Sequence, residues 1–225
     1  MFNVVTRTSG RPNGFARARE SILAQGHKVR HIVTVDDGSD YAVGDVILRV
    51  KPQDAEFPPN LYIAEALGYV EDGWVVILDD DDEYLRPDAF EIIESHIVDE
   101  DSLILWKVFL FDREIPTYNF GLSPVRGDID GNGFAFHSKY KDMAHYAERF
   151  SGDFDAVEKL YRYLNPVWVD AVLVGSQREH GLPGYGRRED TAPSGAFLVQ
   201  KNEGREHGTN HLRGTPANEV GSPAV

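Results

Sequence analysis

The sequence predicts a single α/β domain in which a mostly parallel β-sheet is flanked by helices. Short β-branched runs alternate with segments of helical periodicity over residues 1–90, in the order β-α-β-β-α-β that is typical of this class. The run at residues 74–78 is apolar throughout, as expected for a parallel strand that is buried on both faces. Polar side chains directly follow several predicted strands, at the edge of the sheet where ligands bind in such folds.

The elements of the first half are predicted from the spacing of apolar residues and from boundary signals. The helix at residues 13–25 places Phe15, Ala18 and Ile22 on one face, and Gly26 stands where a glycine commonly follows a helix. A second helix is predicted after two prolines, at residues 60–70. Strands are predicted at residues 2–6, 31–35, 46–50 and 74–78.

The second half is less regular but continues as part of the same domain. Strands are predicted at residues 103–111 and 167–174, a helix at residues 154–164, and a loop rich in glycine and aspartate at residues 127–133. No linker divides the chain. We therefore expect one domain over residues 1–213, followed by a C-terminal tail at residues 214–225.

Composition and charge limit the possible functions. The chain has 225 residues and a formal net charge of −14. It contains no cysteine, which excludes disulfides, thiolate catalysis and cysteine-based zinc sites. So acidic a protein repels nucleic-acid phosphates, and a nucleotide diphosphate would need a metal ion or well-placed arginines to bind. No apolar run approaches the roughly 20 residues that span a bilayer, and the N-terminus has no signal-peptide pattern, so we expect a cytoplasmic protein without a membrane span.

The run of four aspartates is the strongest functional signal. Asp79, Asp80, Asp81 and Asp82 follow the apolar strand directly, and adjacent carboxylates repel one another unless a cation offsets their charge. Mg²⁺ and Mn²⁺ prefer oxygen ligands and can bridge substrate phosphates. A solvated acidic turn is the alternative, but the preceding strand places the run at the sheet edge. A second acidic motif, at residues 36–39, is explained either by contact with a base or ribose or by an Asp-Gly turn.

The motifs of the first half occur in a characteristic order. They are Val4-Val5-Thr6-Arg7-Thr8, Ser21-Ile22-Leu23-Ala24-Gln25, Asp36-Asp37-Gly38-Ser39, and Val76-Ile77-Leu78 with the aspartates and Pro87. In this order they resemble the nucleotide-binding half of the family-2 glycosyltransferases of GT-A fold, a Rossmann-like arrangement. The resemblance implies that residues 1–90 form the nucleotide-binding half and residues 91–213 the acceptor and catalytic half.

The resemblance also implies a role for individual residues of the nucleotide site. Asp37 is expected to contact a uracil-type base, and Thr6 to line the base pocket. Asp79 and Asp81 correspond to the Asp-x-Asp motif that binds ribose and metal in the family. Because four aspartates are adjacent, the same motif could instead be formed by Asp80 and Asp82, one residue further along.

Arginines and aromatic residues supply further candidates. Bidentate hydrogen bonds from arginine suit a diphosphate, and the candidates are Arg7, Arg11, Arg187 and Arg188. For Arg11 we favour a surface position. Trp106 and Tyr185 are candidates for stacking on sugar rings, whereas Trp168, within a strand pattern, is expected in the core.

The second half resembles the family at the segment that holds the catalytic base. The family usually has Glu-Asp there, and this chain has Gly152 followed by Asp153, so only Asp153 is implied as the base. A helix N-cap would explain the same aspartate. Asp190, in a competing Glu-Asp pair, is the alternative base. A histidine near the C-terminus commonly binds the metal in relatives, which implies His180 or His207 here.

The loop at residues 127–133 contains a misleading calcium motif. Its sequence from Asp128 resembles the first half of an EF-hand loop, but the twelfth position is Lys139 instead of a bidentate glutamate, so we reject this interpretation. The family resemblance instead places the loop beside the acceptor site, where Gly131 and Gly133 let the backbone approach a sugar.

The residues and the resemblance together predict a metal-dependent glycosyltransferase. It would use Mn²⁺ or Mg²⁺ to move a sugar from a nucleotide-sugar donor, with a UDP-sugar favoured, to a hydroxyl of a saccharide or other acceptor, and the resemblance implies inversion. A nucleotidyltransferase would need a better glycine-rich loop than residues 9–14 provide. A phosphohydrolase motif is disfavoured by Glu83. Hydrolysis of the donor, with water in place of the acceptor, stays open. A non-enzymatic acidic metal-binding module is the remaining alternative.

Overall fold

Nine β-strands and four α-helices make up the described part of the protein, a computed structural model that describes residues 1–51, 53–55 and 57–176. The strands are β1 (Phe2–Thr8), β2 (Val29–Val35), β3 (Val46–Arg49), β4 (Trp74–Ile77), β5 (Asp82–Tyr84), β6 (Ser102–Leu110), β7 (Arg113–Ile115), β8 (Phe134–His137) and β9 (Asn165–Ser176). The helices are α1 (Pro12–Leu23), α2 (Pro58–Leu67), α3 (Ala89–Ser95) and α4 (Gly152–Tyr163).

All nine strands belong to one sheet, with the order β3-β2-β1-β4-β8-β6-β9-β5 and with β7 paired to β6. The first four strands of this order are mutually parallel, as the sequence predicts. Beyond β4 the sheet becomes mixed, because β8 lies antiparallel to both β4 and β6 while β6 and β9 are parallel. The predicted mostly parallel sheet therefore describes the first half, and the second half adds antiparallel pairings.

Helices cover both faces of the sheet. Along β4 the side chains alternate, so that Trp74 and Val76 pack in the core beneath α1 and α3, while Val75 and Ile77 pack in the core beneath α2 and α4. Burial on both faces explains why this strand is apolar at every position. Trp106 lies in the first of these cores and is almost completely buried, so the expectation that it stacks on a sugar is wrong.

Helix boundaries differ from the predictions in ways that the prolines explain. α2 begins at Pro58 instead of residue 60, because proline has no N–H to lose in the first turn and its fixed φ suits a helix. α1 begins at Pro12 for the same reason. Among the described residues, no helix combines the length and apolar character needed to cross a bilayer.

Candidate active site

The aspartate run and the end of β1 meet at the carboxyl edge of the sheet. β1 and β4 are parallel neighbours, with Val5 opposite Ile77, so the residues that follow each strand emerge side by side. A cleft of about 650 Å³ opens at this edge. The charged and amide side chains that line it are Arg7, Arg11, Asn60, Asp79, Asp81, Asp130, Asn132 and Asp153. The structure thus brings both aspartates of the predicted ribose and metal motif and the predicted catalytic base to one cleft.

The four aspartates point to different surroundings. Asp79 and Asp81 line the cleft. Asp80 is fully buried, pairs with the guanidinium of Arg11 and accepts a 3.2 Å hydrogen bond from the backbone N–H of Ser9. The structure therefore gives Asp80 a contact with the loop after β1 instead of the predicted donor contact, and the geometry favours the register that begins at Asp79.

Arg11 is also placed differently from the sequence-based expectation. Its side chain is only 12% exposed, and one guanidinium nitrogen lies 3.5 Å from an Asp81 carboxylate oxygen in addition to its contact with Asp80. The expected surface position is wrong, because two buried carboxylates draw the arginine inward. The ion pairs with Asp80 and Asp81 offset part of the free energy that burial of the guanidinium costs.

Asp79 and Asp130 are harder to ionise than an ordinary aspartate. Burial raises the pKa of Asp79 to about 7, and the neighbouring charge of Asp81 adds to the effect while Arg7 opposes it. Burial also raises the pKa of Asp130, and the charge of Asp81 contributes. A cation in this cleft would relieve the repulsion and favour the ionised forms.

Asn132, which the sequence analysis did not single out, connects the loop at residues 127–133 to the aspartates. Its Oδ1 accepts a 3.0 Å hydrogen bond from the backbone N–H of Asp79. Its Nδ2 donates to Asp82 Oδ2 at 2.5 Å and to Asp130 Oδ1 at 2.7 Å. One buried amide thus fixes the position of three acidic residues, and its only sequence signal was its place in a loop rich in glycine and aspartate.

Asp153 lies in the first turn of α4 and faces the cleft. The N-cap of this helix is Ser151, so the N-cap explanation for Asp153 is wrong. Burial raises the pKa of Asp153 to about 6, with a further contribution from the charge of Asp130. A Cβ added to Gly131 would lie 3.3 Å from Asp153 Oδ2, so the glycine lets the loop approach this carboxylate closely.

The segment before α4 explains why position 152 is a glycine. A Cβ at this position would lie 2.0 Å from the carbonyl oxygen of Ala147, which is too close for any side chain. Asn60 in α2 holds the same segment, because its Nδ2 donates to the carbonyl oxygens of Ala147 at 2.5 Å and Arg149 at 2.9 Å. Asn60 therefore positions the helix that carries Asp153, and its spacing in the sequence gave no sign of this.

The two residues predicted to hold the base lie outside the cleft lining. Thr6 is fully buried, and its hydroxyl is 3.0 Å from Nε2 of His31, so its side chain faces the interior instead of a base pocket. Burial lowers the pKa of His31 to about 4, which keeps the imidazole neutral. Asp37 is half-buried at the end of β2, where its Oδ1 accepts a 2.9 Å hydrogen bond from the backbone N–H of Ser39.

The other predicted residues fall outside the described range. Asp190, His180 and His207 belong to this group, as do Tyr185, Arg187 and Arg188. Among the residues that the structure describes, no three histidine, aspartate or glutamate side chains are grouped so that they alone could hold a metal ion. Asp79 and Asp81 nevertheless fit a divalent ion that takes its remaining ligands from a diphosphate and water, as Mg²⁺ commonly does.

The sheet order and the position of the acidic run define this domain as a GT-A fold, the fold of nucleotide-sugar glycosyltransferases. The solved structures that share it include S. aureus TarS residues 1–349, with a TM-score of 0.60 at 15% identity over 77% of this chain and 59% of that chain. The same protein in complex with UDP-GlcNAc matches with a TM-score of 0.60 at 14% identity over 83% of this chain and 61% of that chain.

A second protein of this fold is the mannosyltransferase PcManGT from Pyrobaculum calidifontis in complex with GDP-Man and Mn²⁺. Its TM-score is 0.56 at 14% identity, over 78% of this chain and 56% of that chain. The chain thus spans less than two thirds of the length of each of these structures. No protein-family model and no curated protein sequence matches it, so these likenesses establish the fold and nothing narrower.

Proposed function

We propose that this protein is a metal-dependent glycosyltransferase that moves a sugar from a nucleotide-diphosphate donor to an acceptor hydroxyl. The observation that supports this proposal is one cleft that joins Asp79 and Asp81, at the end of β4, to Asp153 at the start of α4. The GT-A fold and the donor complexes of its structural neighbours support a nucleotide sugar, and the resemblance of residues 36–39 to a uracil-binding motif favours UDP.

The donor diphosphate needs positive charge in an otherwise acidic cleft. A divalent ion held by Asp79 and Asp81, Mn²⁺ or Mg²⁺, would offset the negative charge that grows on the leaving diphosphate. Arg7 lines the same cleft, and its Nε lies 3.8 Å from Asp36, which leaves the guanidinium within reach of a ligand. Arg7 would therefore bind the diphosphate directly.

Asp153 is suited to act as the general base. A carboxylate with a pKa of about 6 is ionised at neutral pH, yet it is a stronger base than an ordinary aspartate. As the acceptor oxygen forms its bond to the anomeric carbon, the hydroxyl proton passes to Asp153 and the nucleoside diphosphate leaves with the electron pair of the broken bond. Attack from the face opposite the leaving group inverts the anomeric centre, which is the outcome we propose.

The alternatives receive less support from the described residues. A nucleotidyltransferase would use the loop after β1 to bind phosphate, but the backbone N–H of Ser9 in that loop donates to Asp80. A purely metal-binding module would need a set of protein ligands sufficient for the ion, and the described residues contain no such set. Neither alternative accounts for the partly buried carboxylate of Asp153 in the same cleft as Asp79 and Asp81.

Calorimetric titration tests the proposal. UDP, GDP and CDP are each titrated into the protein with Mn²⁺ and, separately, with EDTA. We expect one nucleotide, UDP, to bind only with metal, and Asp81→Ala to abolish that binding. Asp72→Ala is the matched control, because Asp72 is an exposed aspartate in the loop before β4 and does not line the cleft. If no nucleotide binds although Mn²⁺ alone does, the glycosyltransferase proposal is wrong.

The stereochemical part of the proposal needs a separate measurement. Proton NMR of the freshly formed glycosidic linkage distinguishes inversion from retention by the coupling of the anomeric proton. Release of free sugar without any acceptor product would instead identify a nucleotide-sugar hydrolase.

A further inference from the structure

Two exposed aromatic side chains line the cleft. Phe111 is 46% exposed and Phe150 is 78% exposed, although large apolar side chains usually find cover in a folded protein. Both lie in segments that border the catalytic groups: Phe111 follows β6, and Phe150 lies three residues before Asp153. The proposed donor binding and proton transfer involve neither ring, so their exposure in the cleft needs a separate explanation.

Phe111 is held in a backbone conformation that disfavours it. Leu110 pairs with Arg113, so Phe111 is the first central residue of the two-residue turn between β6 and β7. Its φ is +56°, in the left-handed region where this turn position prefers glycine. A bulky side chain there is an outlier, and such strain concentrates at functional sites. A strained backbone position at a residue that lines the cleft points to a functional role for this side chain.

Phe150 packs against a second aromatic ring that also lines the cleft. Its ring centroid lies 5.9 Å from that of Phe57 at an interplanar angle of 85°, an edge-to-face contact. The next residue, Ser151, has φ +59° and turns the chain into α4. The ring of Phe150 is thus presented by a fixed turn directly before the helix that carries Asp153.

The charge of the cleft limits what these rings can bind. Asp79, Asp81, Asp130 and Asp153 make the cleft acidic, which disfavours an anionic acceptor. Arg7 and Arg11 also line the cleft, but Arg11 pairs with Asp80 and Asp81, and Arg7 lies beside Asp36. Arg126 and Arg149 both pair with Asp155 and do not line the cleft, so the carboxylates outnumber the arginines there. Exposed aromatic faces beside carboxylate acceptors suit a neutral ligand with one apolar face and several hydroxyl groups, which describes a pyranose ring.

We propose that Phe111 and Phe150 form an acceptor subsite on which a neutral saccharide stacks, with one hydroxyl directed at Asp153. The inference rests on the proposed glycosyltransferase function and adds the chemical class of the acceptor. The subsite is separate from the predicted stacking residue Trp106, which the core buries.

Saturation-transfer NMR with protein loaded with UDP and Mg²⁺ tests the subsite. The probes are the methyl glycosides of glucose, galactose and mannose, with methyl glucuronide as the acidic counterpart. The variants are Phe111→Leu and Phe150→Leu, which keep an apolar side chain without the ring, and Phe111→Trp, which keeps an aromatic face. Tyr163→Leu is the matched control, because this exposed aromatic lies at the end of α4 and outside the cleft.

We expect at least one neutral glycoside to bind, with its ring protons saturated, and the glucuronide to bind more weakly. The two leucine variants should weaken binding by roughly tenfold, whereas Phe111→Trp and Tyr163→Leu should bind as the natural protein does. UDP affinity should be the same in all of them. Equal glycoside affinity in the leucine variants and the natural protein, or no neutral glycoside binding by protein that binds UDP, would overturn the inference.

The melting temperature of Phe111→Gly distinguishes a binding role of Phe111 from a structural one. Glycine removes the strain at φ +56°, so the melting temperature should rise by about 2–4 °C while glycoside binding weakens. A lower melting temperature would show that Phe111 serves the fold and would overturn its role in the subsite.

The two proposals fail in different ways. If the natural protein binds no UDP, the proposed function is wrong, and the aromatic subsite is then judged on the nucleotide-free protein. Glycoside binding that the leucine variants lose would still support the subsite, and its absence would overturn it.

Discussion

Replacing Asp153 by asparagine should stabilise the protein and inactivate it at the same time. The pKa of Asp153 is raised from 3.8 to about 6, chiefly by burial, so the ionised carboxylate destabilises the folded state. A difference of about two pKa units corresponds to about 3 kcal/mol at pH 8, because each unit is worth 1.36 kcal/mol. Asparagine is nearly isosteric and carries no charge, so it removes this cost.

The stability that Asp153→Asn gains should depend on pH, because the pKa of Asp153 is raised in the folded protein. The folded state binds the proton more tightly than the unfolded state, so stability contributed by this group is complete below about pH 4 and is lost as the pH rises to about 6. The excess stability of Asp153→Asn should therefore be largest at pH 8, about half as large at pH 5, and small at pH 4. Urea unfolding of both proteins at these three values, without added metal, measures it.

Asp155→Asn is the matched control, and its effect on the stability of the protein should have the opposite sign. Hydrogen bonds from Arg149, and then from Arg126, lower the pKa of Asp155 two residues along the same helix. Its carboxylate stabilises the folded state above its pKa, and this contribution is lost as the pH falls through that value. We therefore expect Asp155→Asn to be less stable than the natural protein at pH 8, with a difference that shrinks in acid.

Activity supplies the second half of the test. Loss of the base should lower sugar transfer by about 100- to 10,000-fold in Asp153→Asn, while UDP affinity stays close to that of the natural protein. A variant that is less stable than the natural protein at pH 8, or that transfers sugar at a normal rate, would refute the reasoning. In the second case a residue outside the described range, Asp190, would be the next candidate.

Other predictions concern the metal, the pH dependence of activity and the segment before α4. Asp81→Ala should remove metal-dependent UDP binding without lowering the melting temperature, as calorimetry and thermal unfolding would measure. In the natural protein kcat/KM should fall about tenfold per pH unit below pH 6, because Asp153 must be ionised to accept a proton; a flat profile to pH 5 would contradict this. Gly152→Ala should destabilise the protein strongly, since the new Cβ would lie 2.0 Å from the carbonyl oxygen of Ala147. Asn60→Ala removes two partly buried hydrogen bonds and should cost about 1–3 kcal/mol in urea unfolding.

Local patterns predicted the strands that frame the candidate site. The apolar strand β4 and the aspartates after it are contiguous in the sequence, so the run had to emerge at the carboxyl edge of a parallel sheet. The same reasoning placed the first four strands of the sheet correctly. It also led to the resemblance from which Asp153 was inferred, and the structure places that residue in the same cleft as Asp79.

Contacts between distant segments could not be predicted from the sequence. Asn132 lies 53 residues from Asp79, to whose backbone it is hydrogen-bonded, and Asn60 lies 87 residues from Ala147. No periodicity reveals such pairs, because a single buried amide leaves no repeating pattern. The antiparallel insertion of β8 was missed for a similar reason, since a strand of four residues gives too short a pattern to show its direction or its partners.

The sequence by itself determined that this chain forms an α/β sheet with carboxylates at one edge, because strand and helix periods and strand-end motifs are properties of neighbouring residues. Only the tertiary structure decided which carboxylates face the cleft. Asp80 was drawn into the interior by Arg11 and the backbone of Ser9, while Asp79 and Asp81 stayed at the surface of the cleft. Side-chain direction after a strand end depends on the partners that the fold brings near, and those partners are far apart in the chain.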